Sequence, residues 1–257
     1  MRRWILTGAM LMLAGCASRG PDSSVYTPKG GAETELQTRA RLHTELAAGY
    51  YELGNYGVAL QEAHEALKSD PEYAPAYNVL GLVYAELHDD KTAEANFQHA
   101  LRVNPLDSDS NNNYGSFLCQ RKREQESIKY FLAALRNPLY TTPDKSWVNA
   151  GLCARQVGDL GSAEEYFQKA LKVRPGQPQA LFQMADIAFK RGNFPEAKSY
   201  LTRLQSEMTP GAEVLWLALR VERQLGDRNA EASLAFQLRK NFPDSREARA
   251  LAAGQYE

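Results

Sequence analysis

Three cysteines and four histidines carry most of the reactive chemistry available to this 257-residue chain. His43, His64, His88 and His99 are scattered, and none has a second histidine or a cysteine at the spacing with which proteins hold zinc. No metal site and no cofactor is therefore expected. The sequence also lacks a G-x-S-x-G elbow, a phosphate-cradling glycine loop and a dinucleotide fingerprint. Without these motifs an enzyme is not expected, and no small-molecule substrate follows from the residues. What remains is sulfur chemistry, at Cys16 near the start and at Cys119 and Cys153 in the middle.

Cys16 ends an unusual opening. Arg2 and Arg3 precede an apolar run over 4–13, which is far shorter than the roughly 20 residues that cross a bilayer as a helix. Basic residues, a short apolar core and small residues before a cut form the pattern of a secretory signal peptide. An ordinary signal does not account for a cysteine directly after Leu13-Ala14-Gly15. The stretch resembles the bacterial lipobox, in which that cysteine is acylated and becomes the mature N-terminus. The alternative is a cysteine that happens to end a signal. The resemblance implies cleavage after residue 15 and a lipoprotein that begins at Cys16 and carries several acyl chains, since a single chain anchors only marginally. Ala17 and Ser18 follow where an aspartate would signal retention in the inner membrane. By analogy this points to the periplasmic face of an outer membrane.

Charge sets a further bound. Losing Arg2 and Arg3 with the signal takes the formal net charge from -1 to -3, so no polyelectrolyte partner is indicated and nucleic acid is not expected. From 16 to 35 the chain is rich in Gly, Pro, Ser and Thr, the composition of a flexible tether.

The elements that must position the remaining residues appear when the chain is slid against itself. Ala47, Gly81, Gly115, Gly151 and Ala185 recur at steps of 34 residues, with one step of 36, and Ala59, Ala93, Ser127, Ala163 and Ala197 follow each of them by twelve. Apolar residues at helical spacing fill two segments per period, parted by turn signals such as Gly54-Asn55, Gly158-Asp159 and Gly192-Asn193. Small residues mark where two helix axes approach closely. Pro71, Pro105 and Pro175 stop the second helix of their units.

Period and pattern are those of the tetratricopeptide repeat, or TPR. The expected fold is all-α, a right-handed superhelix of about six helical hairpins occupying residues 36–257. The units fall at about 40–73, 74–107, 108–143, 144–177, 178–211 and 212–245, with the sixth degenerate and residues 246–257 forming a short helix or tail.

Repeat geometry then places the candidate site residues. Cys119 and Cys153 sit at similar heights on the first helices of units 3 and 4, so a disulfide is plausible in an oxidising periplasm. Two semi-buried thiols are the alternative. The concave face of stacked TPR hairpins is the default binding surface. Its register points Tyr51, Asn78, Leu82, Asn112, Ser116, Leu152, Arg155, Phe182, Phe189 and Trp216 into a groove of apolar and amide character. Such a groove suits an extended or amphipathic protein segment better than a carboxylate, although each aromatic could instead pack on a neighbouring helix. The turn Arg121-Lys122-Arg123 is basic where other turns have Gly-Asn or Gly-Asp. It is either a solvated loop or a contact for an acidic group. The linker over 137–147 holds the extra residues of unit 3 and is a contact loop or a spacer.

Together with Cys16, the stretches NNNYGSFLCQ (111–120), NPLYTTPDKSWVNAGLC (137–153) and LWLALRVERQLGD (215–227) resemble the type IV pilus biogenesis lipoproteins of the PilF and PilW family, the pilotins. The resemblance implies a non-enzymatic outer-membrane lipoprotein, held in the membrane through its N-terminal lipid. Its implied partner is the pilus secretin subunit, which it would help to reach the outer membrane and to multimerise through protein binding in the TPR groove. Cys16 is the one residue that inherits a defined role. Repeats alone would equally suit a general cell-envelope scaffold that recruits peptidoglycan enzymes or assists outer-membrane protein assembly.

Overall fold

The computed structural model describes residues 33–256, and the lipidation residue Cys16 and the cleavage position lie outside them. Among the described residues there are thirteen helices and no strand. The first helices of the six hairpins are α1 (Glu35–Glu52), α3 (Ala74–Glu86), α5 (Ser108–Gln120), α7 (Pro143–Gln156), α9 (Pro178–Lys190) and α11 (Ala212–Leu225). Their partners are α2 (Tyr56–Ser69), α4 (Asp90–Val103), α6 (Glu124–Ala134), α8 (Leu160–Val173), α10 (Phe194–Glu207) and α12 (Arg228–Asn241), and α13 (Arg246–Ala252) closes the series.

Local chemistry sets most of the helix boundaries. Asp89, Asp107, Asp159, Asn193, Asp227 and Ser245 each accept a backbone N–H with the side chain at the helix start, which satisfies a donor the helix itself leaves orphaned. Proline occupies the first turn of α3, α7, α9 and α10, where its missing N–H costs nothing. Thr34 and Gln37 close a capping box on α1. That cap moves the start of order earlier than composition suggested, because Glu35, read as tether, is already helical and Glu33 pairs with Arg41 at 3.2 Å.

Hairpins two to five each set a small residue of the first helix against a large one of the second. A Cβ added to Gly81, Gly115 or Gly151 would lie 2.7, 2.8 or 2.6 Å from the ring of Phe97, Phe131 or Phe167. The same offset pairs Ala185 with Leu201 in the fifth hairpin, both buried. Ala59, Ala93, Ser127, Ala163 and Ala197 are fully buried at the crossings, where close axes exclude longer side chains. Between hairpins, the second helix of one unit packs on the first helix of the next, so the core runs as linked clusters along the array.

The irregular step of 36 residues is absorbed after the shortened α6, in the segment 135–142. Residues 143–147, read as linker, already form the first turn of α7. The segment is tied down locally. Asn137 accepts the N–H of Leu139 at 2.9 Å and donates to the Leu106 carbonyl at 3.4 Å, and the Tyr140 hydroxyl donates to Ser146 Oγ at 3.2 Å. Burial pushes the Tyr140 phenol above its ordinary pKa.

Candidate functional site

The first helices from α3 to α9 carry a ladder of polar side chains that ties each to the next. Asn113 Nδ2 donates to Asn78 Oδ1 at 3.2 Å, joining α3 to α5. Asn149 Nδ2 and Ser146 Oγ both donate to Asn112 Oδ1 at 3.0 Å, joining α5 to α7. Arg155 reaches from α7 to Gln183 and Asp186 of α9, and Lys190 also pairs with Asp186, at 2.9 Å. Asn78 and Asn112 thus spend their side chains within the array, and Asn78 is buried.

Ser116, Leu152 and Arg155 share one open cleft of about 550 Å3 with Gln120, Asn149, Gln156 and Gln183. Its floor is Phe131 and the disulfide between Cys119 and Cys153, whose Cα atoms are 5.9 Å apart. Cys153 is fully buried and receives a contact from the Ser127 hydroxyl at 3.4 Å, while Cys119 is half-buried. The other candidates lie elsewhere. Tyr51 and Leu82 pack against the clusters between units 1 and 2 and between units 2 and 3, and burial pushes the Tyr51 phenol upward. Phe182 packs on the Leu181 and Leu201 cluster. Phe189 is enclosed by Phe194 at 5.5 Å between ring centres and by the Arg220 guanidinium at 4.4 Å. Trp216 is stacked by Tyr256 at 5.7 Å, and Arg223 covers that tyrosine at 3.9 Å.

The basic turn is mostly consumed by internal contacts. Arg121 donates to Asp90 at 2.6 and 3.0 Å and to the Ala85 carbonyl at 3.1 Å, and lies over the Phe117 ring. Its guanidinium holds the Asp90 carboxyl below the ordinary range. Arg123 bridges Glu94 at 2.8 Å and Glu126 at 2.9 Å. Both arginines therefore bind unit 3 to its surroundings, and Lys122 has no ion pair among the described residues.

The two ends of the array differ. One row on each first helix packs on the preceding unit. It comprises Ala76, Leu80 and Val83 in α3, Ser110, Tyr114 and Phe117 in α5, Ser146, Ala150 and Cys153 in α7, Ala180, Met184 and Ile187 in α9, and Val214, Ala218 and Val221 in α11. All of these are at most 9% exposed. The same register in α1 is Leu42, Leu46 and Gly49, and the two leucines are each 50% exposed. At the far end α13 covers Leu215 and Leu238 with Ala248 and Leu251, and Tyr256 covers Trp216. The apolar row on α1 has no such cover among the described residues.

This geometry has known counterparts. Over 235 residues, 91% of this chain and 91% of the relative, the sequence is 30% identical to the type IV pilus assembly protein PilF of Pseudomonas aeruginosa. The chain belongs to the PilF family of type IV pilus biogenesis proteins. A crystal structure of PilW, described as a widely conserved type IV pilus biogenesis factor, superposes with a TM-score of 0.72 at 33% identity, covering 83% of this chain and 98% of that one. A structure of Pseudomonas aeruginosa PilF superposes with a TM-score of 0.77 at 28% identity, covering 86% and 100%. Residues 44–95, 91–138 and 154–218 match the tetratricopeptide repeat family.

For this PilF-family chain, counting groove positions along each first helix missed two groups of residues. Asn113, Asn149, Gln183 and Asp186 make or complete the inter-helix ladder; Asn113 and Gln183 stand directly beside the predicted groove positions Asn112 and Phe182, and Asn149 and Asp186 stand three residues before Leu152 and Phe189. Leu42 and Leu46 had no signal, since leucine at a core register is ordinary until the missing neighbour is seen.

Proposed function

We propose that the protein is a non-enzymatic pilotin: an outer-membrane lipoprotein, anchored on the periplasmic face through acylated Cys16, that binds the pilus secretin subunit and assists its localisation and multimerisation there. The observation that supports this reading is a half-exposed apolar row, without cover among the described residues, at the N-terminal end of a PilF-family repeat array. Leu42 and Leu46 offer an incoming apolar or amphipathic segment the surface that every later unit offers its predecessor. Burying each half-exposed leucine contributes about 2 kcal/mol. Residues 17–33 limit the distance between anchor and array to about 60 Å at full extension, which keeps the docking surface near the membrane where a secretin multimer forms.

The test is to delete the protein and follow the secretin by membrane fractionation and by gel electrophoresis without full denaturation. The expected result is loss of secretin multimers from the outer membrane, and unchanged multimers would overturn the reading. Recovery of peptidoglycan enzymes without secretin in pulldowns would instead favour a general envelope scaffold. A Cys16→Ala variant should lose acylation and be mislocalised. Unchanged acylation and fractionation would refute the anchor.

A further inference from the structure

One position on the second helices is aromatic in three consecutive units and changes in the last. It stands eight residues after the left-handed turn residue of each hairpin: Tyr130 after Lys122, Tyr166 after Gly158, Tyr200 after Gly192 and Leu234 after Gly226. The three tyrosines are half-buried and fill their intervals. Tyr130 lies against Tyr114 at 4.5 Å between ring centres, Tyr166 against Trp147 at 5.8 Å, and Tyr200 packs on the cluster that holds Met184. In the last interval both sides shrink. Leu234 stands where Tyr200 stands one unit earlier, and Ala218 stands where Met184 does. A cavity of about 210 Å3 opens there between α10 and α12, lined by Leu201, Ala218, Val221, Glu222 and Leu234 among others. Its α11 residues do not include Trp216, the one that the repeat register points into the concave groove.

Size and charge narrow the occupant. Pockets that enclose a drug-sized ligand run to roughly 300–1,000 Å3, so this one suits a single side chain. Glu222 then selects among side chains. It is 8% exposed, and its Oε2 accepts from Lys198 at 2.9 Å. Lys198 already neutralises the carboxylate, so a second cation gains little. Glu222 Oε1 accepts no hydrogen bond among the described residues, and a neutral O–H donor supplies one. The chain makes the same pairing internally, where the Tyr114 hydroxyl donates to Glu94 at 2.7 Å, a bond strengthened by the carboxylate's charge. We propose that the cavity between α10 and α12 is a binding site for a tyrosine side chain of a protein partner. The ring packs on Leu201, Val221 and Leu234, and the hydroxyl donates to Glu222 Oε1. A partner thereby supplies the ring that the sixth unit omits, on a surface distinct from both the α1 face and the concave groove.

The test is a nuclear magnetic resonance titration of the full chain, labelled at its leucine and valine methyl groups. The probe is the peptide acetyl-Gly-Ala-Tyr-Ala-Gly-amide, beside counterparts with phenylalanine or O-methyltyrosine in its centre. The tyrosine peptide should give saturable shifts at the methyls of Leu201, Val221 and Leu234. The other two keep the ring but lose the donor, and should bind at least about tenfold more weakly. Leu234→Tyr and Ala218→Met each refill the space as the fifth unit does, and each should abolish the shifts at Leu201 and Val221. Unchanged methyl signals from units 1 to 4 establish that a variant is folded, and an unfolded Leu234→Tyr leaves Ala218→Met to decide. The proposal is overturned if no saturable shift occurs, if the three peptides bind alike, or if a folded, refilled variant still binds. Shifts at Leu42 and Leu46 instead would also overturn it while leaving the α1 docking reading standing.

Discussion

Gly151 of α7 and Phe167 of α8 fill one volume between them: a Cβ on the glycine would lie 2.6 Å from the ring. The pairing recurs as Gly81 with Phe97 and Gly115 with Phe131, and inverts its balance to Ala185 with Leu201 in the fifth hairpin. Alanine outranks glycine in a helix by about 1 kcal/mol, yet overpacking a close crossing costs about 1–3 kcal/mol. Gly151→Ala should therefore lower the urea midpoint, and Gly151→Ala/Phe167→Leu should recover most of the loss by recreating the fifth unit's pair. A stabilised single variant would show that the ring moves aside freely.

The disulfide joins the first helices of units 3 and 4 across a sequence separation of 34 residues. Chain entropy alone assigns such a closure about 3–4 kcal/mol. A Cys119→Ser/Cys153→Ser variant should unfold at correspondingly lower denaturant, and reductant should shift the wild-type protein but not the variant. Because repeat arrays lose stability locally, hydrogen exchange should rise first in α5 through α8. A reductant-insensitive midpoint in the wild type would exclude a stabilising bridge.

The turn after α5 combines a strained residue with a strong ion pair. Lys122 has a φ of 60°, where the turns after α1, α7, α9 and α11 place Gly54, Gly158, Gly192 and Gly226. Left-handed backbone is unfavourable for a residue with a Cβ, so Lys122→Gly should raise stability by about 0.5–1 kcal/mol. Arg121 acts with the opposite sign. It depresses the Asp90 pKa, so its contribution is present above the ordinary aspartate range and is lost as pH falls through the folded value. Arg121→Gln should therefore flatten the acid limb of a stability curve below about pH 4, as read from denaturant midpoints.

What could be read in advance was what repeats at a fixed offset. The small residues at 81, 115, 151 and 185 announce the hairpins because each faces a large partner sixteen residues later in the same unit. Cys119 and Cys153 stand one unit apart at similar height, which made a bridge plausible beside the alternative of two thiols, and the two are bridged. Contacts with no fixed offset stayed hidden. Nothing local says that Tyr256 will cover Trp216, that Arg220 will close over Phe189, or that Arg121 will reach back to Asp90. These depend on which long side chains find a neighbour after the array has assembled.

Leu46 tests whether an uncovered core register is a docking surface. Exposed by half and bonded to nothing polar, it should accept Glu with a change in fold stability within about 0.5 kcal/mol. A carboxylate placed in an apolar contact should nevertheless weaken the proposed binding to secretin by about 2–4 kcal/mol, or roughly 30- to 1,000-fold. Leu53 supplies the control. It is more exposed, at 81%, but its register mates Leu87 and Val157 are also exposed, at 46% and 54%, in units that do have a preceding neighbour. That position is therefore not part of the surface one unit offers another, and Leu53→Glu should leave secretin affinity and multimer yield unchanged. Equal losses from the two variants would mean that general apolarity, rather than the inter-unit register, draws the partner to α1.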